Sequence, residues 1–198
     1  MNVAATTVAD PCRDRLPRRL EVQIKDFSTD TPTHLFAVHS KPATRVCLYP
    51  VHALIFAAHC AHLPPIPYVN SAEATEDGKK LILPVVPLCL PNPPTFPMLL
   101  HYLYTKRGDH LLAALLPMAP RGPKPSLTHL SRTFAATFTV QALLSYAAKV
   151  HGLWSNVAAL GVFDEKLSRA IEVAWEVVLD ALAISTGANW RTEGTSSQ

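Results

Sequence analysis

The stretch LPNPPTFPMLLHYLYTKR, Leu90 to Arg107, carries four prolines in its first eight residues and then turns into a run dense in Leu, Tyr and Met. Proline fixes φ near the helical value and has no amide donor to lose, so it suits a helix start and breaks a helix interior. The approach is therefore stiff, and Pro94 and Thr95 begin a helix. Phe96, Leu99, Leu100, Leu103 and Tyr104 recur at three- and four-residue steps, which puts them on one buried stripe. His101 and Lys106 fall on the wet side. Such a helix is scaffold for a fold, not a catalytic element.

Upstream, KLILPVVPLCL reads as an apolar strand in which Pro84 and Pro87 favour an edge or a bulge. RLEVQIKDF alternates Leu20, Val22 and Ile24 with Glu21, Gln23 and Lys25, the period of a strand with one wet face. THLFAVH and TRVCLYP, separated by SKPA, predict a hairpin or adjacent strands, and Pro50 is placed to open a helix running to about Leu63. Residues 1–17 lack periodicity and read as a flexible arm. Loops are expected near 64–80 and 117–127, and a loose tail over 187–198.

The C-terminal third reads as helical. TVQALLSYAAKVHG predicts a helix ending at His151 and Gly152, a last-turn cation followed by a stop. In FDEKLSRAIEVAWEVVLDALAIS, Asp164 is a good N-cap. Ser168, Glu172, Glu176 and Asp180 then form a polar stripe opposite Leu167, Ile171, Ala174, Val178 and Leu182. Trp154 and Trp175 read as core, with a partner groove as the alternative. The whole predicts an α+β protein with one domain over 18–186.

Composition narrows the function classes. A net charge of +3 over 198 residues, with acids interspersed among bases, argues against direct nucleic-acid binding. The most apolar run, VHALIFAAHCAHL, is broken by three histidines and is too short to span a bilayer, so no membrane role is expected. Cys12, Cys47, Cys60 and Cys89 form no CxxC pair, and the N-terminal sequence has the look of no secretory leader, so reduced thiols are expected.

Candidate chemistry is sparse. His52, His59 and His62 share a helix side at steps of seven and three, a set that zinc could use and the basis of one alternative, a small metal-dependent hydrolase. Ordinary surface or capping histidines are the reading preferred here. There is no GxSxG, GxGxxG or GxxxxGK. The expectation is no enzyme, no cofactor, no metal and no small-molecule substrate. Arg13, Arg15, Arg18 and Arg19 form the densest positive cluster, legible as a nuclear-import or partner signal and as a solvated arm. It leads to an expected nuclear or nucleocytoplasmic distribution.

VCLYPVHALIFAAHC followed by LILPVVPLCLPNPPTFPMLLHYLYTKR resembles the two halves of a BTB/POZ core. In that family a strand leads into a Val-His start and an Ala-Ala helix, and a further strand, a loop and an aromatic-leucine helix close the unit. The matching residues are Val51, His52, Ala57, Ala58 and Cys60, then Phe96, Leu99, Leu100, Tyr102, Leu103, Tyr104 and Thr105. His52, Phe96, Leu100 and Tyr104 are the fold-anchoring motif this implies, and residues 44–116 carry the likeness. The family's N-terminal dimer-forming strand and helix are not evident, so homo-oligomerisation stays open. A cullin-type ubiquitin-ligase adaptor, docking around Tyr102 to Arg107, is the alternative within this fold.

More narrowly, HLFAVHSKPATRVCLYPVH, AAHCAHLP and HGLWSNVAALGV resemble the clampless-type proteins of basidiomycete fungi. That resemblance implies a regulator of sexual development, of clamp-cell formation and the mating programme, acting through protein partners.

Overall fold

A computed structural model of the chain describes residues 6–8, 16–23, 31–42, 45–68, 73–74, 80–118 and 126–188. The stretch 18–186, read from sequence as one domain, divides into two units. Among the described residues, one unit runs to Pro94 and takes in Asn156–Val162, and the other comprises Thr95–Ser155 and the residues from Phe163 onward.

The first unit is a mixed sheet of strands β1 (Thr6–Val8), β2 (Arg19–Gln23), β3 (His34–His39), β4 (Val46–Val51), β5 (Glu73–Ala74) and β6 (Lys80–Cys89), with helix α1 (Ala53–His59). Strand order is β1-β4-β3-β6-β2, and β5 also pairs with β6. β3 and β4 form the expected antiparallel hairpin, with Phe36 opposite Tyr49, while β6 returns parallel to β3, with Phe36 opposite Val86. Every residue of the central β3 is buried. Leu35 and Ala37 join Val46, Leu48, Leu81, Leu83 and Val85 in one apolar cluster, which Leu20 and Val22 cover from β2. Alternation puts Phe36 on the other face of β3, where its ring meets Phe56 of α1 at 4.7 Å, edge to face.

β6 is long because its two halves serve different neighbours, β2 and β5 in the first and β3 in the second. Residues 80–84 pair antiparallel with β2, and residues 85–89 pair parallel with β3. Pro84 sits at the handover. Pro87 lies where β6 has β3 on one side and no other described strand opposite, so a missing donor there can face an unpaired edge.

Three expectations are corrected in this unit. Thr6–Val8, inside the stretch read as an aperiodic arm, is a strand on the edge of β4. Pro50 does not open a helix: it continues β4 opposite Leu35, and α1 covers only Ala53–His59. Past the end of β1 one edge of β4 has no described partner, so proline is tolerated there. α1 is also capped from a distance: the Thr33 hydroxyl accepts from the Ala53 amide at 3.0 Å, and its oxygen lies 2.9 Å from His34 Nδ1. The expected helical turn beyond His59 is replaced by a bridge, Cys60 to Val162.

The second unit begins at Thr95, the last residue of a 3-10 turn (Pro93–Thr95), and comprises α2 (Phe96–Thr105), α3 (Gly108–Leu115), α4 (Leu127–Thr137), the first part of α5 (Val140–Leu160) and α6 (Glu165–Thr186). α6 packs against α3 and α4. Of its expected apolar stripe Leu167, Ile171, Ala174 and Val178 are buried and Leu182 is half-buried, with Ala170, Val177 and Ala181 added to the core; of the polar stripe Ser168, Glu172 and Glu176 are exposed and Asp180 is half-buried. α4, not anticipated from the sequence, is capped by Ser126, whose hydroxyl accepts from the His129 amide, and buries Leu130, Ser131 and Phe134.

α5 does not stop at Gly152. It runs through to Leu160, because Leu143, Ala147, Val150, Leu153, Val157 and Leu160 keep one buried stripe going across the glycine. A mid-helix glycine costs only about 1 kcal/mol relative to alanine, which such burial outweighs. Gly161, with φ of +62°, is the true stop.

Candidate interaction site

α2 presents the buried stripe anticipated from sequence, with one exchange. Phe96, Leu99, Leu100 and Leu103 are buried, Tyr104 is half-buried, and Tyr102 is almost wholly enclosed. Tyr102 donates its hydroxyl hydrogen to Asp164 Oδ1 at 2.7 Å. Lys106 reaches Asp164 Oδ2 at 3.1 Å, and the Leu167 amide donates to Oδ1 at 3.1 Å. Lys106 is therefore not a free wet-side residue: it is half-buried, paired, and holds the left-handed conformation that ends α2. Burial works against the charged Asp164, but the bonds from Tyr102, the Leu167 amide and Lys106 outweigh it and bring the carboxyl down to about 2. Burial and then the Asp164 carboxylate push the Tyr102 hydroxyl well up. Two of the residues from Tyr102 to Arg107, the segment assigned to cullin docking, are thus engaged in holding the start of α6. His101 is exposed, stacked on His110 at 6.3 Å.

The three histidines of the metal alternative are separated in role. His52 precedes α1, His59 ends it and His62 follows it, packed close to Gly161. No group of three or more His, Cys, Asp or Glu among the described residues is arranged to hold a metal ion. Cys47, Cys60 and Cys89 are not in disulfide bonds, and Cys12 lies outside the described residues. Burial, followed by the influence of Cys47, pushes the Tyr49 hydroxyl up to about 12. Of the arginine cluster, Arg18 and Arg19 are exposed, and Arg13 and Arg15 lie outside the described residues. Among the described residues, no helix is long and apolar enough to cross a membrane.

The surface feature with functional shape lies in the second unit. Val150, His151 and Trp154 of α5 and Ile171, Glu172 and Trp175 of α6 line a groove of about 280 Å³. The expectation that both tryptophans are core is overturned: Trp154 is 55% and Trp175 37% exposed. Each follows a buried residue, Leu153 or Ala174, and one residue further along a helix turns the side chain about 100° away from the core stripe. That one-step offset from the stripe was the available signal. Val150 and Ile171 are buried, and the His151 ring stands 5.9 Å from Trp154 and 6.4 Å from Trp175. Chemically this is a small apolar cleft with aromatic sides and one carboxylate, suited to recognition by contact.

The comparisons with known proteins agree across both units. Residues 2–91 match the family model described as the clampless protein 1 N-terminal domain, and residues 109–198 match that of the clampless protein 1 C-terminal domain. Curated relatives from Cryptococcus neoformans var. neoformans serotype D, strains JEC21 and B-3501A, each called clampless protein 1, are 30% identical over 109 residues, 54% of this chain. The matched region spans 22% of the length of those relatives. No solved structure matches the chain.

Proposed function

We infer that this chain, placed in the clampless-type family by the matches to both of its domains, is a non-enzymatic protein-interaction module that regulates fungal sexual development, including clamp-cell formation. The observation that carries the interaction reading is the pair of exposed tryptophans flanking a cleft. Large aromatic side chains left open beside an apolar floor are unusual on a lone surface and typical of the anchors of protein interfaces. The family supports the developmental role. A BTB/POZ-like build is supported by the order β4, α1, β6, α2. Nuclear or nucleocytoplasmic residence rests on the arginine cluster, of which Arg18 and Arg19 are exposed. An Arg-to-Ala series that leaves the distribution unchanged would remove that role.

The test is genetic and biochemical together. A strain lacking the gene is complemented with the wild-type chain or with the Trp154→Ala, Trp175→Ala double variant, clamp cells are counted, and the tagged chain is recovered from mating cells. Loss of clamps on deletion, rescue by wild type, and a partner held by wild type but released by the variant are expected. Normal clamps in the deletion strain would overturn the developmental role.

A further inference from the structure

The cleft has apolar depth and a charged margin. Val150 and Ile171 are buried at its base, two indoles and an imidazole stand around it, and Glu172, the lining residue with a full charge, is exposed. At about 280 Å³ it falls just below the range of roughly 300–1,000 Å³ typical of small-molecule sites, and it has room for one anchoring side chain with its water. Indole faces attract cations, more strongly than the other aromatic rings. The charge on α6 favours the same sign: from Asp164 to Asp180 the chain carries five carboxylates against two cations, an excess that Lys106, paired with Asp164, and Lys149 of α5 reduce without reversing. Arg169 lies 3.6 Å from Glu172, but their side chains are 74% and 66% exposed, a pair of the kind that holds little energy and yields to a competitor.

We propose that this cleft receives one cationic side chain, lysine or arginine, presented by a protein partner. The aliphatic stem lies along Val150 and Ile171, the cation meets the faces of Trp154 and Trp175, and Glu172 supplies the counter-charge at the margin, where the head group keeps part of its water. This rests on the interaction-module reading and gives its partner a chemistry.

The test uses the full chain and the indole N–H signals of its tryptophans in NMR, with Trp154 and Trp175 assigned by Phe substitution. The probes are acetyl-Ala-Lys-Ala-amide and the same peptide with norleucine, which keeps the stem and lacks the ammonium. The lysine peptide is expected to shift both indole signals and to bind about tenfold more tightly than the norleucine peptide. Glu172→Gln should erase most of that preference without lowering the melting temperature, and Glu165→Gln, on the same helix away from the cleft, should preserve it. Equal affinity for the two peptides would overturn the proposal in favour of an apolar anchor. Equal losses in Glu165→Gln and Glu172→Gln would overturn it in favour of diffuse attraction, and no indole shift with either peptide would exclude the cleft. If the double tryptophan variant keeps its partner and its clamps, this site falls while the module reading stands; normal clamps on deletion would instead remove the developmental reading and leave the peptide result intact.

Discussion

Asn156 holds Asn92 by both ends of its carboxamide: the Asn92 amide donates to Asn156 Oδ1 at 2.9 Å, and Asn156 Nδ2 donates to the Asn92 carbonyl at 2.6 Å. Asn156 is fully buried, and Asn92 lies between Pro91 and Pro93 in the stiff approach to α2. Prolines supply no amide hydrogen, so this segment cannot join a sheet as a regular strand, and the side chain takes the part a neighbouring strand would play.

Asn156→Ala should cost about 2 to 4 kcal/mol, because it leaves a backbone donor and a backbone acceptor without their partner in a buried place. Denaturant melts measure it directly. Asn156→Asp keeps the acceptor, loses the donor and buries a charge, and should be at least as harmful at neutral pH. A loss below 0.5 kcal/mol in both variants would mean that solvent replaces the clasp.

α2 and its C-cap yield a contrast among four positions. Phe96 and Leu100 are buried, so truncating either to Ala should cost about 2 to 5 kcal/mol through lost burial and a cavity. His101→Ala should stay within about 0.5 kcal/mol, as expected of an exposed site. Lys106 has two opposing roles, an ion pair with Asp164 and a φ of 55° that a side chain resists. Lys106→Ala loses the pair and keeps the strain, whereas Lys106→Gly loses the pair and sheds the strain. The glycine variant should therefore be about 1 kcal/mol the more stable of the two in thermal melts.

The sequence made α2 legible because its stripe is strong and its start is marked by prolines, and α6 legible because Asp164 caps a clean polar-apolar alternation. Tyr102 was not legible as a buried anchor, since its partner Asp164 lies sixty-two residues away and periodicity carries no such pairing. α4 escaped because His129, Arg132 and the threonines dilute its three buried anchors. Gly152 misled for a local reason: His-Gly is a good stop in isolation, and the stripe beyond it overrides the propensity. The tryptophan cleft lay one step outside each stripe, an offset that was present in the sequence but outweighed by a composition that favours core.

Gly161 ends α5 with the Val162 amide donating to the Val157 carbonyl at 3.0 Å, the bond of a Schellman stop. The Ala61 amide then donates to the Gly161 carbonyl at 3.1 Å, so the loop after α1 lies against this turn. A Cβ at position 161 would stand 2.8 Å from His62 Nδ1. Gly161→Ala should cost more than the roughly 1 to 2 kcal/mol of left-handed strain alone. Adding His62→Ala removes the nearest contact but leaves Ala61 Cβ at 3.1 Å and the strain, so the double variant should recover only part of the excess over that figure. Full recovery in melts would show that the backbone relaxes out of the left-handed region.

Asp164 sets an acid limit on the start of α6. Its carboxyl sits at about 2 in the fold against an ordinary 3.8, because hydrogen bonds from Tyr102, Leu167 and Lys106 outweigh the burial that opposes its charge. A depressed carboxyl contributes stability that is fully present above the unfolded value and is lost as pH falls through the folded one, so the window is about pH 4 down to pH 2. Lys106 is partly exposed and solvent screens its share, which puts the effect on the order of 1 kcal/mol. Asn is as good an N-cap as Asp, so Asp164→Asn should keep the cap while losing the titration. Wild type should be the more stable at pH 6, and the gap should close between pH 4 and pH 2. Tyr102→Phe removes one of the bonds that lower the carboxyl, which raises the folded value toward the ordinary one and narrows the same window from below. The measurement is the melting temperature of the three proteins at half-unit steps of pH, and parallel curves for wild type and Asp164→Asn across that window would show that the three bonds do not hold the carboxylate in solution.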